Sequence, residues 1–271
     1  MAFNAFFLDA PNGRRFCIHA PARGPVRGVV LYVHPFAEEM NRSRRMASLT
    51  ARALGDAGYE VLLMDLEGCG DSAGDFADAT WAGWIDDVLA GAAWLGKRGC
   101  GPLWIWTLRA GSLLAAGALA RGVSAAGLLL VQPVFAGELA LRQFLRLKLG
   151  ASLLGGGERA DVDGLLRDLA GGTPVEVGGY SLGPGLARGL GAAGLTLPEI
   201  GALRIACIEL STGRAGELSP VLSSHVSQWR AAGHAVRATS VDAAPFWQTA
   251  ESTISPALID ACVAALEPDP A

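Results

Sequence analysis

The chain has 271 residues, 51% apolar and 18% charged, with a formal net charge of −4. Disorder requires low hydrophobicity and high net charge, so this composition excludes a disordered chain and fits one large core or at most two domains. An acidic balance without any arginine cluster interleaved with aromatics excludes a nucleic-acid surface.

Gly28 to Val33 is a continuous apolar run ending at His34-Pro35 and predicts a buried strand. Met46, Leu49, Ala53 and Leu54 fall at helical spacing within Ser43 to Ala57, and Gly58 supplies the stop. A strand from Glu60 to Met64 runs into Asp65-Leu66-Glu67-Gly68-Cys69-Gly70-Asp71-Ser72, and Trp84, Val88, Leu89 and Ala92 then stripe a helix from Trp81 to Leu95. The strand Leu103 to Trp106 leads through Thr107-Leu108-Arg109-Ala110-Gly111 into a small-residue helix, Ser112 to Ala120, and Gly127 to Val131 is the next strand.

Between Gly137 and Pro198 the pattern loosens into helical pieces, Leu139 to Leu149 and Asp161 to Leu169, among glycine runs. This predicts a cap insertion, residues 137–198, in a core of residues 1–136 and 199–271. Regularity returns with a strand Arg204 to Leu210, a helix Ser219 to Ala232, a strand Ala235 to Val241 and a helix Pro256 to Leu266; the tail Glu267 to Ala271 reads as unstructured. Such alternation predicts an α/β fold, a mainly parallel sheet with helices on both faces.

Five cysteines (Cys17, Cys69, Cys100, Cys207, Cys262), far apart and without a C-x-x-C pair, indicate neither a zinc site nor a disulfide framework, and fit a reducing, cytoplasmic setting. Met1 to Ala10 lacks the basic and apolar regions of a signal peptide, and the most apolar region, Pro102 to Val134, is interrupted by Arg109, Arg121 and Gln132, so no membrane span is expected. No cofactor or metal ion is expected.

Ligands of open α/β sheets bind beyond the carboxyl ends of the strands. Two of these ends carry His34-Pro35-Phe36-Ala37-Glu38-Glu39-Met40-Asn41 and Asp65-Leu66-Glu67-Gly68-Cys69-Gly70-Asp71-Ser72, about 30 residues apart. The pair, in this order, resembles the α/β-hydrolase family, where an H-G-type loop builds the oxyanion hole and a D-x-x-G-x-G-x-S turn follows the next strand. The resemblance implies an α/β-hydrolase fold with an inserted helical cap and a nucleophile raised on a G-x-S-x-G elbow. Aligned by context, that elbow is Thr107 to Gly111, and Arg109 stands where the serine belongs. A guanidinium stays protonated at physiological pH and cannot be a nucleophile.

A literal G-x-S-x-G, Gly179-Tyr180-Ser181-Leu182-Gly183, follows only a short extended piece inside the expected cap. It reads as a decoy, with a true nucleophile at Ser181 as the alternative. The segment Val241 to Thr249, where a triad histidine belongs, has none; His19, His225 and His234 read as structural. His34 is the one histidine at the active end, either a general base for water, Ser72 or Ser112, or a residue that orders its loop. A desolvated arginine needs an acid, so one of Glu38, Glu39, Asp71 and Glu209 is expected to face Arg109, with Glu209 a candidate partner.

The expected site therefore has His34 and Arg109 as catalytic candidates, with Pro35, Phe36, Glu38, Glu39, Asp71, Ser72, Leu108, Ala110, Glu209, Phe246 and Trp247 around the ligand. The charge run Glu38 to Arg45 is either a solvated helix start or a polar ligand rim. The helix Leu139 to Leu149, with Leu141, Leu145 and Leu149 on one stripe and Arg142, Arg146 and Lys148 elsewhere, either closes a pocket or rests on an anionic membrane surface.

Within the α/β hydrolases, His34-Pro35-Phe36 with Glu38 to Asn41, the elbow Leu108-Arg109 and the ending Pro245-Phe246-Trp247-Gln248 resemble the second group of exosortase A system-associated hydrolases. That resemblance implies a bacterial protein linked to exopolysaccharide production and envelope protein sorting, with a small-molecule or carbohydrate-derived substrate and protein partners of that system. Two functions follow as expectations. One is a hydrolase or acyl transferase on esters or thioesters working through non-standard groups; the other is a catalytically inactive ligand- or partner-binding module of the same fold.

Overall fold

The computed structural model describes residues 2–98, 101–155, 161–198, 201–213, 216–249 and 253–267. A hairpin that the periodicity does not reveal opens it: β1 (Asn4–Ala10) pairs antiparallel with β2 (Gly13–Ala20). Next come β3 (Gly28–Val33), α1 (Glu38–Asp56), β4 (Tyr59–Met64), α2 (Trp81–Gly96), β5 (Leu103–Leu108), α3 (Gly111–Ala120) and β6 (Gly127–Val131). The chain then makes an excursion through α4 (Gly137–Gly155), α5 (Val162–Ala170), the hairpin β7 (Val175–Val177) and β8 (Tyr180–Leu182), and α6 (Pro184–Ala192). It returns with β9 (Arg204–Leu210), α7 (Pro220–Ala231), β10 (Ala235–Val241) and α8 (Pro256–Leu266).

Eight strands form one sheet in the order β1-β2-β4-β3-β5-β6-β9-β10. The ladders from β4 to β10 are parallel, and β2 joins β4 antiparallel. Every residue of β3 and β6 is buried, because helices cover both faces of the sheet. Val29, Leu31 and Val33 enter one core with α2 and α3, while Val30 and Tyr32 enter the other with α1 and α8. The excursion joins the first core through Leu141, Phe144, Leu145, Leu186 and Leu190, and Ala136 bridges Gly194 at its base.

Two element boundaries differ from expectation in ways that matter for the site. Helix α1 starts at Glu38 rather than Ser43, since acidic residues in a first turn meet the positive end of the helix dipole. Strand β5 runs on through Thr107 and Leu108, so the elbow is the turn Arg109-Ala110. Helix α3 lies so close to β3 that a Cβ on Gly111 would sit 2.4 Å from the Val33 carbonyl oxygen, which explains the glycine there. The sheet order turns around between β3 and β5, the switch point where open α/β sheets place ligands.

Candidate functional site

Among the described residues, three non-glycine residues hold positive φ: Ala37 (49°), Arg109 (52°) and Gln132 (45°). They follow β3, β5 and β6. Strained backbone costs of order 1–3 kcal/mol per residue and persists where function demands it. Here Arg109 and Gln132 line one cleft of about 760 Å³ at the carboxyl ends of the strands, and Ala37 sits between its wall residues Phe36 and Glu38. Its walls are Phe36, Glu38, Glu39 and Arg42 after β3, Arg109 and Ala110 at the elbow, and Gln132 and Val134 after β6. Ala140, Gln143, Phe144 and Leu147 of α4, Leu210 at the end of β9 and Thr212 beyond it, and Ala243, Pro245, Trp247 and Gln248 after β10 complete it. A shallower groove of about 710 Å³ at the opposite end of the sheet carries one charged wall residue, Arg121, which is paired with Asp86.

The elbow is held by its own backbone. Arg109 donates its N–H to the Val131 carbonyl, and its carbonyl accepts from the Ser112 hydroxyl at 2.8 Å. Ser112 also accepts from the Val134 N–H, so this buried hydroxyl fixes the turn and is not available to a base. The Arg109 side chain donates from Nε to Glu39 Oε1 at 3.2 Å, and its guanidinium carbon lies 5.4 Å from the centre of the Trp247 ring. Arg109 and Glu39 are 17% and 18% exposed. Burial pushes the Glu39 carboxyl above the usual carboxylate range, against the opposing pull of Arg109, and burial raises Glu38 as well.

Glu39 is thus the acid that faces Arg109. Glu209, the candidate partner, turns away and accepts the Ser219 N–H at 2.6 Å ahead of α7. Asp71 and Ser72 do not reach the cleft: Ser72 accepts from the Phe16 N–H and donates to the Asp65 carbonyl, pinning its turn to β2. Pro35, Leu108 and Phe246 are buried behind the walls, Phe246 packing on Trp247 at 5.1 Å. Phe36, Glu38, Glu39, Arg109, Ala110 and Trp247 do line it, so the charge run after β3 forms part of the ligand rim.

His34 is corrected as a general base. Its Nε2 accepts the Leu66 N–H at 3.3 Å, which leaves Nδ1 to donate to the Pro35 carbonyl at 2.7 Å. Burial holds its pKa below the usual imidazole value, so the ring is neutral and both nitrogens order the two loops. His19 pairs with Glu60, His225 stacks on Phe135, and His234 accepts from the Leu203 N–H. Among the described residues, no serine or cysteine side chain bonds to a histidine. Ser181 is exposed on β8, opposite Glu176 in the hairpin of the excursion. Cys17, Cys69, Cys207 and Cys262 are buried, with the thiols of Cys17 and Cys207 pushed up to about 12, far from a nucleophilic thiolate; Cys100 lies outside the described residues.

Helix α4 turns Leu141, Phe144 and Leu145 inward and lays Ala140, Gln143, Phe144 and Leu147 over the cleft. Its Arg142 pairs with Glu138 and Asp163. Phe144 meets Phe36 edge-on at 5.1 Å, and Asn41 donates to the Tyr180 hydroxyl at 2.8 Å, so the excursion rests on the β3 loop and on the start of α1. Gln132, Gln143, Thr212 and Gln248 are site residues that sequence reasoning missed. Gln132 left a signal as a polar residue ending an apolar strand, and Gln248 stood in the ending Pro245 to Gln248 without a role. No helix among the described residues is long and apolar enough to cross a membrane, and they contain no cluster of metal-ligating side chains.

Residues 24–155, just under half of the chain, match the family model of the S33 serine aminopeptidases. No curated protein matches the chain. Among solved structures it resembles Est1E of Butyrivibrio proteoclasticus, whose structure holds ferulic acid, at 14% identity over 96% of this chain and 97% of that one, TM-score 0.66. It also resembles an α/β serine hydrolase without a lid from Xanthomonas campestris, at 16% identity over 98% and 92%, TM-score 0.58. A serine hydrolase homologue from Coxiella burnetii is similar at 15% identity over 98% and 99%, TM-score 0.56. The fold of this chain is the α/β-hydrolase fold.

Proposed function

We propose that this chain is a ligand-binding protein on an α/β-hydrolase fold, which holds an anionic group at Arg109 instead of forming an acyl-enzyme. The observation that carries this reading is the Arg109 guanidinium itself, set on the strained elbow and braced by Glu39 and Trp247. Apart from Glu39, no described side chain or carbonyl bonds to it, so its two Nη groups remain for a ligand. The backbone N–H groups of Phe36 and Ala110 likewise have no protein acceptor among the described residues, and Ala110 precedes α3 without a side-chain cap. Guanidinium, free amides and a helix N-terminus on the walls of one cleft favour negative charge in it.

In this reading residues 137–198 are the cap, and α4 excludes water from the bound group. The setting in exopolysaccharide production and the exosortase system, with a carbohydrate-derived ligand and partner proteins, is supported by the motif resemblance described above. A cytoplasmic location is supported by the four described cysteines, all free thiols.

A hydrolase or acyl transferase acting on esters or thioesters is the second reading. The match of residues 24–155 to serine aminopeptidases favours it, because that stretch spans both the β3 loop and the elbow. The Phe36 and Ala110 amides would then be oxyanion donors and Arg109 would stabilise the developing charge. A panel of ester, thioester and carbonate substrates, run beside Arg109→Ala, separates the two. Saturable turnover that disappears in Arg109→Ala overturns the binding reading; no turnover, with calorimetric binding of anions that Arg109→Ala abolishes, supports it.

A further inference from the structure

We infer that the ligand of the Arg109 cleft is a hydroxylated monocarboxylate, a sugar acid in its chemistry; this rests on the binding reading above and narrows it.

The head of the ligand is set by the floor. With Nε held by Glu39 and one face on Trp247, the guanidinium presents its Nη edge as a rigid fork, which matches a planar carboxylate with two parallel bonds. The charge is set by the walls. Arg42 and Arg109 are balanced by Glu38 and Glu39, so the cleft is formally neutral before the ligand arrives. A monoanion leaves one net negative charge there. A phosphate dianion leaves two beside a pair of carboxylates in a half-buried floor, and like-charge repulsion selects against it.

The body of the ligand is set by the rim. Gln143, Thr212 and Gln248 are exposed at the mouth, and Gln132 Oε1 accepts the Leu210 N–H at 2.7 Å, leaving its amide NH₂ as a donor. The aromatic rings near the head, Phe36, Phe144 and Trp247, are buried, so the exposed aliphatic surface open to an acyl chain is that of Leu147 on α4, one side chain among the amides. A chain leaving Arg109 would cover amides without bonding them, at the cost of their hydration. Hydroxyl groups in the same place satisfy them. A volume of about 760 Å³ lies within the range of small-molecule sites and leaves room for a sugar ring with a substituent.

The test is isothermal titration calorimetry on the full chain with D-glucuronate, glucose, octanoate, glucose 1-phosphate and acetate. D-glucuronate is expected to bind at least tenfold more tightly than glucose or octanoate, and to lose at least tenfold in Arg109→Gln. The double variant Gln143→Ala/Gln248→Ala is expected to weaken glucuronate at least fivefold and leave acetate unchanged, which general damage to the fold would not do. Octanoate or glucose 1-phosphate binding more tightly than glucuronate, and depending on Arg109, overturns the sugar-acid class and leaves the binding reading standing. If none of the anions binds in an Arg109-dependent way, both are overturned.

Discussion

The Arg109 guanidinium and the Glu39 carboxylate meet at 3.2 Å on the floor of the cleft, each less than one-fifth exposed. Burial raises Glu39 and Glu38, so both take up protons at a higher pH than free carboxylates. The charged groups facing Glu39 are Glu38, Arg42 and Arg109. Protonation removes negative charge from beside Arg109, so an anion should bind more tightly as pH falls from 7 toward 5. Glu39→Gln should bind on the order of tenfold more tightly at pH 7 and lose most of the pH slope. Calorimetry with D-glucuronate at pH 5, 6 and 7 checks this, and a slope unchanged in Glu39→Gln would sink the assignment.

Arg15 on β2 and Asp87 on α2 form a second pair, 2.7 Å apart and 1% exposed on both sides. Asp87 also accepts the Glu67 N–H, so the pair anchors the turn after β4. Removing Asp87 leaves the buried Arg15 charge with only Glu67, 3.8 Å away, to compensate it. Asp87→Asn should destabilise the chain by about 3–5 kcal/mol, whereas Arg15→Met/Asp87→Leu should recover much of that loss. Urea unfolding of the three variants tests the ordering.

His34 should remain neutral where a solvated histidine becomes charged, because Nε2 accepts a hydrogen bond and the ring is buried. Its pKa is lowered in the fold, so below about 6.5 the unfolded chain takes up a proton that the folded chain refuses. This residue therefore contributes stability that is present above that pH and is lost as pH falls through it. Nitrogen-15 NMR should show the Nδ1–H tautomer persisting to pH 6, and the stability slope between pH 7 and 5.5 should shrink in His34→Gln. A ring that titrates near 6.5 would contradict the hydrogen bonding described here.

Strands β6, β9 and β10 and helix α8 begin and end where the periodicity puts them, because buried parallel strands are continuous apolar runs between turn residues. At the N-terminus a strand carrying His19 was legible but its hairpin was not: Arg15, a charged residue, is among its most buried side chains, and its partner lies 72 residues away. The elbow was legible from its place after β5, and so was the need for an acid beside Arg109. Which acid was not, since Glu39 and Glu209 differ only in the direction the backbone gives them. Gln143 and Thr212 of the rim were invisible because a lone neutral polar side chain carries neither period nor charge, and the fold alone brings them beside Gln132 and Gln248.

Arg109 also sets a conflict between stability and binding, since it sits at φ 52° where an L side chain crowds its own carbonyl. A direct comparison of Arg109→Gly with wild type would mix the relief of that strain with the loss of Glu39's partner. In a Glu39→Gln background the partner is already neutral, and Arg109→Ala and Arg109→Gly then differ mainly in backbone freedom. Arg109→Gly should be the more stable of the two by about 1 kcal/mol, the cost of holding a non-glycine residue in the left-handed region. Thermal unfolding measures the difference. If alanine and glycine prove equal, the elbow is not strained, and the arginine is held at that turn by something other than a ligand that needs it there.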